Sequence, residues 1–301
     1  MTDSTATRQP GETLTVVVPA YNEAQALPTT LSALVEHVHK RGWRLTVVDD
    51  GSDDATPQVL AAYAGTPGVT VIRHKVRRGY GGAIKTGIRA AETDLVVTVD
   101  ADGQHRPDDI DALYDVAQRT NADMVVGDRG PRSSGAIREI GKRMIRLLTK
   151  LLVRLPIRDL NSGMKLYRTA LACRYVQVCP DTMAYSDVIA LAFLHGRHLV
   201  VEHPITVRPR AGGASTITVV TAFDTAVEIL NIITLFNPMR IFLPLSVISI
   251  TGGVAWGANR LLILGDGLSV GAMLAITTGG LFFVLGLIAE QLSAIRRVRQ
   301  D

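Results

Sequence analysis

Residues 95–105 read LVVTVDADGQH, an apolar run that ends in two carboxylates, Asp100 and Asp102. Similar short apolar runs lie at 14–18, 45–48, 69–72 and 124–126. Helical patterns separate them, at 24–40, 56–64, 81–92 and 107–120. Strands that alternate with helices are typical of a doubly wound, mostly parallel sheet, so we predict one α/β domain over residues 12–212.

The polar residues that follow this strand suit a divalent cation. Parallel strands place ligands at the edge of the sheet where their carboxyl ends meet. Asp100, Asp102 and the amide oxygen of Gln104 are hard oxygen donors of the kind that Mg²⁺ and Mn²⁺ prefer. The sequence therefore predicts a metal site that would in turn hold a diphosphate.

Two other strand ends bring polar residues to the same edge. The second predicted strand ends in Asp49 and Asp50, which either accept hydrogen bonds from a base imide or ribose hydroxyl, or cap the next helix. The third is followed by a turn with Gly79, whose glycines either admit a ligand close to the backbone or only make the turn. Lys85, on the following helix, is a candidate to face phosphate. We predict a nucleotide-sized cleft along this edge.

The C-terminal part of the chain is much more apolar. Residues 240–264 and 268–292 are each near the ~20 residues that cross a bilayer, and only Gly265, Asp266 and Gly267 join them. Arg240 and the basic tail place both ends of this hairpin in the cytosol by the positive-inside rule. The alternative is a buried helical hairpin in a soluble core. We predict a multi-pass protein of the cytoplasmic membrane.

Other segments concern the membrane surface and the compartment. Residues 217–236 form a predicted amphipathic helix along the membrane, whereas the basic helix predicted at 137–155 either meets anionic headgroups or packs on the sheet.

Residues 1–11 lack the apolar core of a secretory signal, which keeps the domain in the cytosol. Cys173 and Cys179 have no metal-site spacing, and we interpret both as buried apolar residues. With a modest net charge of +4, no nucleic-acid partner is predicted. The remaining predicted divisions are a disordered N-terminus at 1–11, the juxtamembrane helix within 213–239, the hairpin at 240–295 and a basic tail at 296–301.

Four motifs in this order resemble glycosyltransferase family 2. They are VVVPAYNE at 16–23, VVDDGS at 47–52, RRGYGGAIKTG at 77–87 and VDADGQH at 99–105. RDLNSGMK at 158–165, RAGGAS at 210–215 and the apolar hairpin resemble the polyprenyl-phosphate branch of that family, the bactoprenol glucosyltransferases and dolichyl-phosphate mannose synthases. The resemblance implies a GT-A-like domain on a membrane anchor, and a homo-oligomer, with a tetramer as one form.

The resemblance also implies roles for individual residues. Pro19, Tyr21, Glu23 and Asp50 would hold the nucleoside, with Gly79, Lys85 and Asp100 on the nucleotide side, and Asp100, Asp102 and Gln104 would bind the metal. Asp102 and Arg210 would be catalytic, Arg210 and Ser215 would close over the diphosphate, and Arg129, Arg132 and Ser162 would receive the lipid phosphate. Family members often have Lys after that Ser, whereas this chain has Thr216.

The activity implied is the inverting transfer of a hexose from a nucleotide diphosphate-sugar to a polyprenyl phosphate, for cell-envelope glycans. UDP-glucose is the first expected donor and GDP-mannose the second. Asp187 is a weaker candidate for a general base.

A processive polysaccharide synthase is disfavoured because the chain has no Q-x-x-R-W motif and no Glu-Asp pair. A dehydrogenase is disfavoured because the glycine turn follows the third strand and has Ile84 at its sixth position. A non-catalytic membrane scaffold is the alternative outside the enzymes.

Overall fold

The computed structural model describes residues 14–130, 157–207, 234, 238–262 and 269–298, with side chains given as far as 293. These residues fall into two compact units, an α/β unit and a C-terminal helical unit. The strands are β1 Leu14–Ala20, β2 Arg44–Asp49, β3 Val69–Arg73, β4 Leu95–Thr98, β5 Met124–Asp128, β6 Lys165–Arg168 and β7 Val200–Pro204. The helices of the α/β unit are α1 Leu27–Arg41, α2 Thr56–Ala61, α3 Tyr80–Ala90, α4 Pro107–Thr120, α5 Thr169–Tyr175 and α6 Tyr185–His195.

The strands form one sheet in the order β3-β2-β1-β4-β6-β5-β7. All neighbours are parallel except β6, which is antiparallel to both β4 and β5. The central strands are buried along their whole length, since helices cover both faces of a doubly wound sheet. The predicted α/β class and mostly parallel sheet are therefore confirmed.

Local signals explain where the helices begin and end. Proline occupies the first turn of α1, α2 and α4, where no intrahelical hydrogen bond is lost. Gly42 ends α1 in the left-handed conformation, with φ 66°. The buried face of α1 consists of Leu27, Leu31, Leu34 and Val38, which recur at helical spacing and pack on the sheet.

The C-terminal unit is a pair of apolar helices, α7 Met239–Leu262 and α8 Val270–Val298. By length and composition, α7 and residues Val270–Ser293 of α8 are each able to cross a membrane. Only 17% of the most apolar window in each helix is buried, which distinguishes them from the core helix of a soluble protein. The structure thus contains two apolar helices at the predicted places.

Small residues allow α7 and α8 to pack closely. An added Cβ at Gly253 would lie 3.0 Å from the carbonyl oxygen of Ala272, and one at Gly279 would lie 2.9 Å from that of Ser246. The hydroxyl of Ser249 donates to the carbonyl oxygen of Ala275 over 2.7 Å. Close backbone approach and such interhelical hydrogen bonds are the usual means by which helices associate in lipid.

Several predicted segments lie outside the described residues. They are the N-terminus at 1–11, the basic helix at 137–155, nearly all of the amphipathic helix at 217–236, the 265–267 turn and the end of the tail.

Candidate active site

The strand order reverses between β1 and β4, and such a switch point forms a crevice at the carboxyl ends of the strands. β1 and β4 are parallel neighbours with Val17 beside Thr98, and the Val99 amide donates to the Val17 carbonyl over 2.9 Å. The residues that follow β1 and those that follow β4 therefore emerge side by side. This edge carries the 99–105 motif that the sequence analysis singled out.

The turn after β4 holds two half-buried carboxylates, Asp100, whose side chain is 30% exposed, and Asp102. Gly103 takes a positive φ of 73°, which glycine adopts without strain. The backbone amide of Gln104 donates to Asp102 Oδ1 over 3.1 Å, and the Thr30 hydroxyl donates to the Ala101 carbonyl over 3.2 Å. The turn is thus fixed both internally and against α1.

Asp100 lies among hydrogen-bond donors. The Tyr80 hydroxyl donates to Asp100 Oδ1 over 2.9 Å, and His105 Nε2 lies 3.5 Å from Oδ2. Burial alone would raise the pKa of the Asp100 carboxyl, but the hydrogen bonds from His105 and Tyr80 and the charge of Arg129 hold it below its usual value. Burial and the Asp100 charge raise the pKa of Tyr80 well above its ordinary value. Asp100 is therefore ionised and Tyr80 remains a donor.

The donor set fits a hard divalent cation. Asp100, Asp102 and Gln104 offer oxygens only, and both carboxylates are accessible. Among the described residues no three His, Cys, Asp or Glu side chains form a site complete enough to hold a metal by themselves. Mg²⁺ is characteristically held by one or two carboxylates, with waters and substrate phosphates as its other ligands. A cation shared with a bound diphosphate matches this arrangement.

Residues after β1 are locked to those after β2. Asn22 and Asp53 exchange two hydrogen bonds, of 2.6 and 3.1 Å, and the Glu23 amide donates to the Thr56 hydroxyl. The Arg77 guanidinium lies 4.0 Å from the centre of the Tyr21 ring. Tyr21 and Glu23, which the sequence predicts to hold the nucleoside, therefore lie in a segment that hydrogen bonds fix to the residues after β2.

Two other residues predicted to hold the nucleoside are buried. Pro19 lies within β1, opposite Val48. Asp50 is only 3% exposed; its Oδ1 accepts from the Arg78 amide over 2.8 Å and its Oδ2 from the Gly79 amide over 2.7 Å. His74 Nδ1 is also 2.8 Å from Oδ1. In this structure Asp50 shapes the turn before α3, a role that the sequence did not reveal.

The glycines of that turn approach protein backbone. A Cβ added at Gly79 would overlap the carbonyl oxygen of Asp181, and one at Gly81 would overlap that of Pro180. The Gly82 amide donates to the Asp181 carbonyl over 3.3 Å. Residues 180–182 therefore lie against these glycines in this structure, and the close approach of a ligand to them stays a prediction.

Lys85 likewise has partners within the protein. Its Nζ donates to the Cys179 carbonyl over 2.9 Å and pairs with Asp181 Oδ1. The side chain is 14% exposed, and its charge is already matched. In this structure α3 directs this side chain at residues 179–181, and a contact between Lys85 and phosphate stays a prediction.

The predicted acceptor residues are also engaged. Arg129 forms a bidentate pair with Asp159, at 2.6 and 2.8 Å, and donates to the Asn161 carbonyl. Ser162 is fully buried, and its hydroxyl donates to the Met164 carbonyl over 3.3 Å. Both side chains help to build the turn before β6, and their contact with a lipid phosphate stays a prediction. The other residues predicted to contact phosphate, Arg132, Arg210 and Ser215, lie outside the described residues.

Lys165 is a buried cation that sequence reasoning missed. It is 1% exposed on β6, and its Nζ donates to the Ser162 carbonyl. Burial lowers its pKa to about 8, although the charges of Asp187 and Asp159 oppose the shift. The sign of its burial in the sequence is its place between the apolar residues Met164 and Leu166.

The two cysteines are free thiols. Cys179 is buried, and burial raises the pKa of its thiol to about 12. Cys173 is half-buried rather than buried, and its Sγ lies 3.6 Å from the Ile88 carbonyl oxygen.

Comparison with solved structures identifies the class of fold. Glucosyl-3-phosphoglycerate synthase from Mycobacterium tuberculosis, solved with Mn²⁺, UDP and phosphoglyceric acid, matches with a TM-score of 0.57 at 20% identity. The match covers 73% of this chain and 78% of that one. The α/β unit therefore has the GT-A-like fold that the sequence predicted.

Sequence comparison defines the family. The Glycosyl transferase family 2 description matches residues 15–175, more than half of the 301 residues, and the GtrB C-terminal hairpin matches residues 237–295. The chain belongs to glycosyl transferase family 2, and it is a glycosyltransferase with the hairpin of the predicted branch.

Two relatives illustrate the range of similarity. An uncharacterized protein of Methanocaldococcus jannaschii is 32% identical over 194 residues, which is 61% of this chain and 77% of the relative. The undecaprenyl-phosphate 4-deoxy-4-formamido-L-arabinose transferase of Pseudomonas syringae is 28% identical over 297 residues, 93% of this chain and 85% of the relative. The second match includes the apolar hairpin, so the resemblance to the polyprenyl-phosphate branch is confirmed.

Proposed function

We propose that this protein transfers a hexose from a nucleotide diphosphate-sugar to a polyprenyl phosphate at the membrane surface, with inversion at the anomeric carbon. The observation that carries the proposal is the pair of accessible carboxylates, Asp100 and Asp102, at the switch point of the sheet. The exposed apolar hairpin supports a lipid acceptor, as does the activity named for the Pseudomonas syringae relative.

The acceptor chemistry needs little from a general base. The second pKa of a phosphate monoester is about 6, so a lipid phosphate is already an anion at neutral pH. The protein must align this anion behind the anomeric carbon and stabilise the departing diphosphate. Asp187 therefore has no necessary role as a base, and its charge acts on the buried Lys165.

The nucleotide-sugar donor would lie along the residues that follow β1 and β2. Tyr21 and Glu23 follow β1 and, with Pro19 and Asp50, are the residues proposed to hold the nucleoside; Asp50 also accepts from the Gly79 amide. Asp100, Asp102 and Gln104 would hold Mg²⁺ or Mn²⁺, whose charge would neutralise the diphosphate. Arg210 and Ser215 remain proposed as diphosphate contacts, and Arg132 as an acceptor contact, from the family motifs.

The sugar is proposed in order of preference. UDP-glucose comes first and GDP-mannose second, from resemblance to the bactoprenol and dolichol branches. The formamido-arabinose transferases among the relatives add a third donor to test. We further propose a homo-oligomer in the inner membrane, with residues 12–212 as the cytosolic domain, 213–239 along the membrane and 240–295 as the hairpin.

The first prediction tests the chemistry directly. Membranes that contain the full chain are incubated with a radiolabelled nucleotide-sugar, Mn²⁺ and polyprenyl phosphate, and label is measured in extracted lipid. Asp102→Asn removes one charged metal ligand, so we expect a loss of at least about 100-fold, comparable with the loss of a major electrostatic contribution to the transition state. Chelation of divalent metal should abolish transfer, and restored Mn²⁺ should recover it.

The matched control is Asp108→Asn, which changes an exposed carboxylate in the first turn of α4. This variant should transfer sugar normally. Full activity in Asp102→Asn, or transfer that survives chelation, would contradict the mechanism. Label in a polymer would indicate a processive synthase, and no lipid label with any donor would favour a non-catalytic scaffold.

A further inference from the structure

Tyr80 contacts the metal motif from a different element. It is the first residue of α3, and its hydroxyl donates to Asp100 Oδ1 over 2.9 Å. Asp50 fixes the preceding turn through the Gly79 amide, so the start of α3 is held in place. The phenol is therefore presented to the carboxylate by a rigid part of the fold.

The Asp100 carboxylate also packs against Gly163. A Cβ at this position would overlap the carboxylate oxygens, so the glycine permits a contact that no other residue allows. The Gly163 carbonyl accepts from the Thr98 hydroxyl over 2.8 Å, which fixes the glycine to β4. Asp100 therefore lies between two fixed contacts, the Tyr80 hydroxyl and the Gly163 backbone.

His105 is a second donor near Asp100, on the other carboxylate oxygen. Its Nε2 lies 3.5 Å from Asp100 Oδ2, a longer approach to the other oxygen. The shortest side-chain hydrogen bond described at this carboxylate therefore comes from Tyr80.

We infer that Tyr80 is a positioning residue for the divalent cation, because it fixes the orientation in which Asp100 meets the metal. The inference rests on the proposed metal site. Groups that hydrogen-bond to metal ligands typically change metal affinity about 10–100-fold when they are removed. Tyr80 itself touches the ligand and not the cation.

The test measures Mn²⁺ binding by electron paramagnetic resonance, using the full chain in detergent, first with Mn²⁺ alone and then with a nucleotide, UDP or GDP. Tyr80→Phe keeps the ring and removes only the hydroxyl, so we expect affinity for Mn²⁺ to fall about tenfold. The melting temperature without metal should stay close to that of the unchanged protein. The control is Tyr63→Phe, whose exposed hydroxyl lies 3.2 Å from Ser32, and it should bind Mn²⁺ normally.

The possible results separate the two proposals. If the unchanged protein binds no Mn²⁺ under either condition, the metal site itself is wrong and so is the inference. If the unchanged protein binds Mn²⁺ and Tyr80→Phe binds it within twofold, only the inference is overturned. If Tyr80→Phe does not fold, Gly163→Ala displaces Asp100 from the other side, and unchanged Mn²⁺ affinity in that variant would also overturn the inference.

Discussion

Lys165 shows how a single buried charge makes stability depend on pH. Its ordinary pKa is 10.5, and burial lowers it to about 8 in the folded chain. Between these values the unfolded chain holds a proton that the folded chain has released, so raising the pH favours the folded state. Below about pH 8 the folded state bears the full free-energy cost of the buried Lys165 charge. Loss of that charge at higher pH raises the free energy of unfolding by at most ~3 kcal/mol.

The second prediction follows from the direction of this change in stability with pH. The stability of the unchanged protein relative to Lys165→Met should rise from about pH 7.5 to about pH 10, because only the unchanged protein loses the buried charge. Melting temperatures of both proteins in the same detergent give this difference, and groups common to both cancel. Asp187, Asp159, Asp100 and Arg129 act on Lys165 and are retained in both proteins. A difference that does not change with pH would show that Lys165 is not buried as a charge.

Single residues also mark the limit of sequence reasoning at this site. Asp100 and Asp102 were found because two acids after an apolar strand have a position that the topology fixes. The contacts of Lys85 and Gly79 with residues 179–182 were not predicted, because a glycine turn that meets protein backbone has the same sequence pattern as one that meets a ligand. Such distant contacts are set by tertiary packing, which local spacing does not encode.

How well each helix or strand was predicted depends on how regular its apolar pattern is. The first five strands and α1 to α4 were recognised, because each has a strong apolar period and a clear boundary. A helix-to-strand connection was predicted around His195 and His198, but no bounds were predicted for the elements from β6 to β7. β6 has only four residues, one of them a buried lysine, and it runs antiparallel after a long connection. Its place in the sheet depends on partners remote in the sequence.

The helical hairpin offers a prediction with an internal control. Gly279 and Gly280 are adjacent on α8, but only Gly279 faces α7, where an added Cβ would lie 2.9 Å from the Ser246 carbonyl oxygen. Nothing lies within 4 Å of a Cβ at Gly280. Gly279→Ala should therefore destabilise the hairpin by about 1–3 kcal/mol, the usual effect of overpacking. Gly280→Ala should be neutral or slightly stabilising, because alanine favours helix.

Thermal unfolding in detergent, followed by the helical circular dichroism signal, distinguishes these two variants. The result expected is a lower melting temperature for Gly279→Ala alone. Equal effects of the two substitutions would mean that α7 and α8 do not pack through this face.

At the scale of the whole molecule, the order of the parts demands a particular topology. A lipid phosphate stays at the membrane surface, so the catalytic unit must lie on the side where nucleotide-sugars are made. Two apolar helices with a short connection return the chain to its starting side, and basic residues at 296, 297 and 299 favour the cytosol. Both ends of the chain are therefore expected in the cytosol, with Asp266 on the opposite side.

Cysteine labelling in intact cells tests this last prediction. Cys179 should react slowly, because it is buried and its thiol pKa is raised to about 12, whereas Cys173 is half-buried and is replaced by Ser in the background. In that background, Asp266→Cys should react with a maleimide that does not cross the inner membrane, and Gln300→Cys should react only after the cells are opened. The reverse pattern would place the catalytic unit outside, away from cytosolic nucleotide-sugars. Labelling of both positions in intact cells would mean that the two helices do not cross the membrane as a pair.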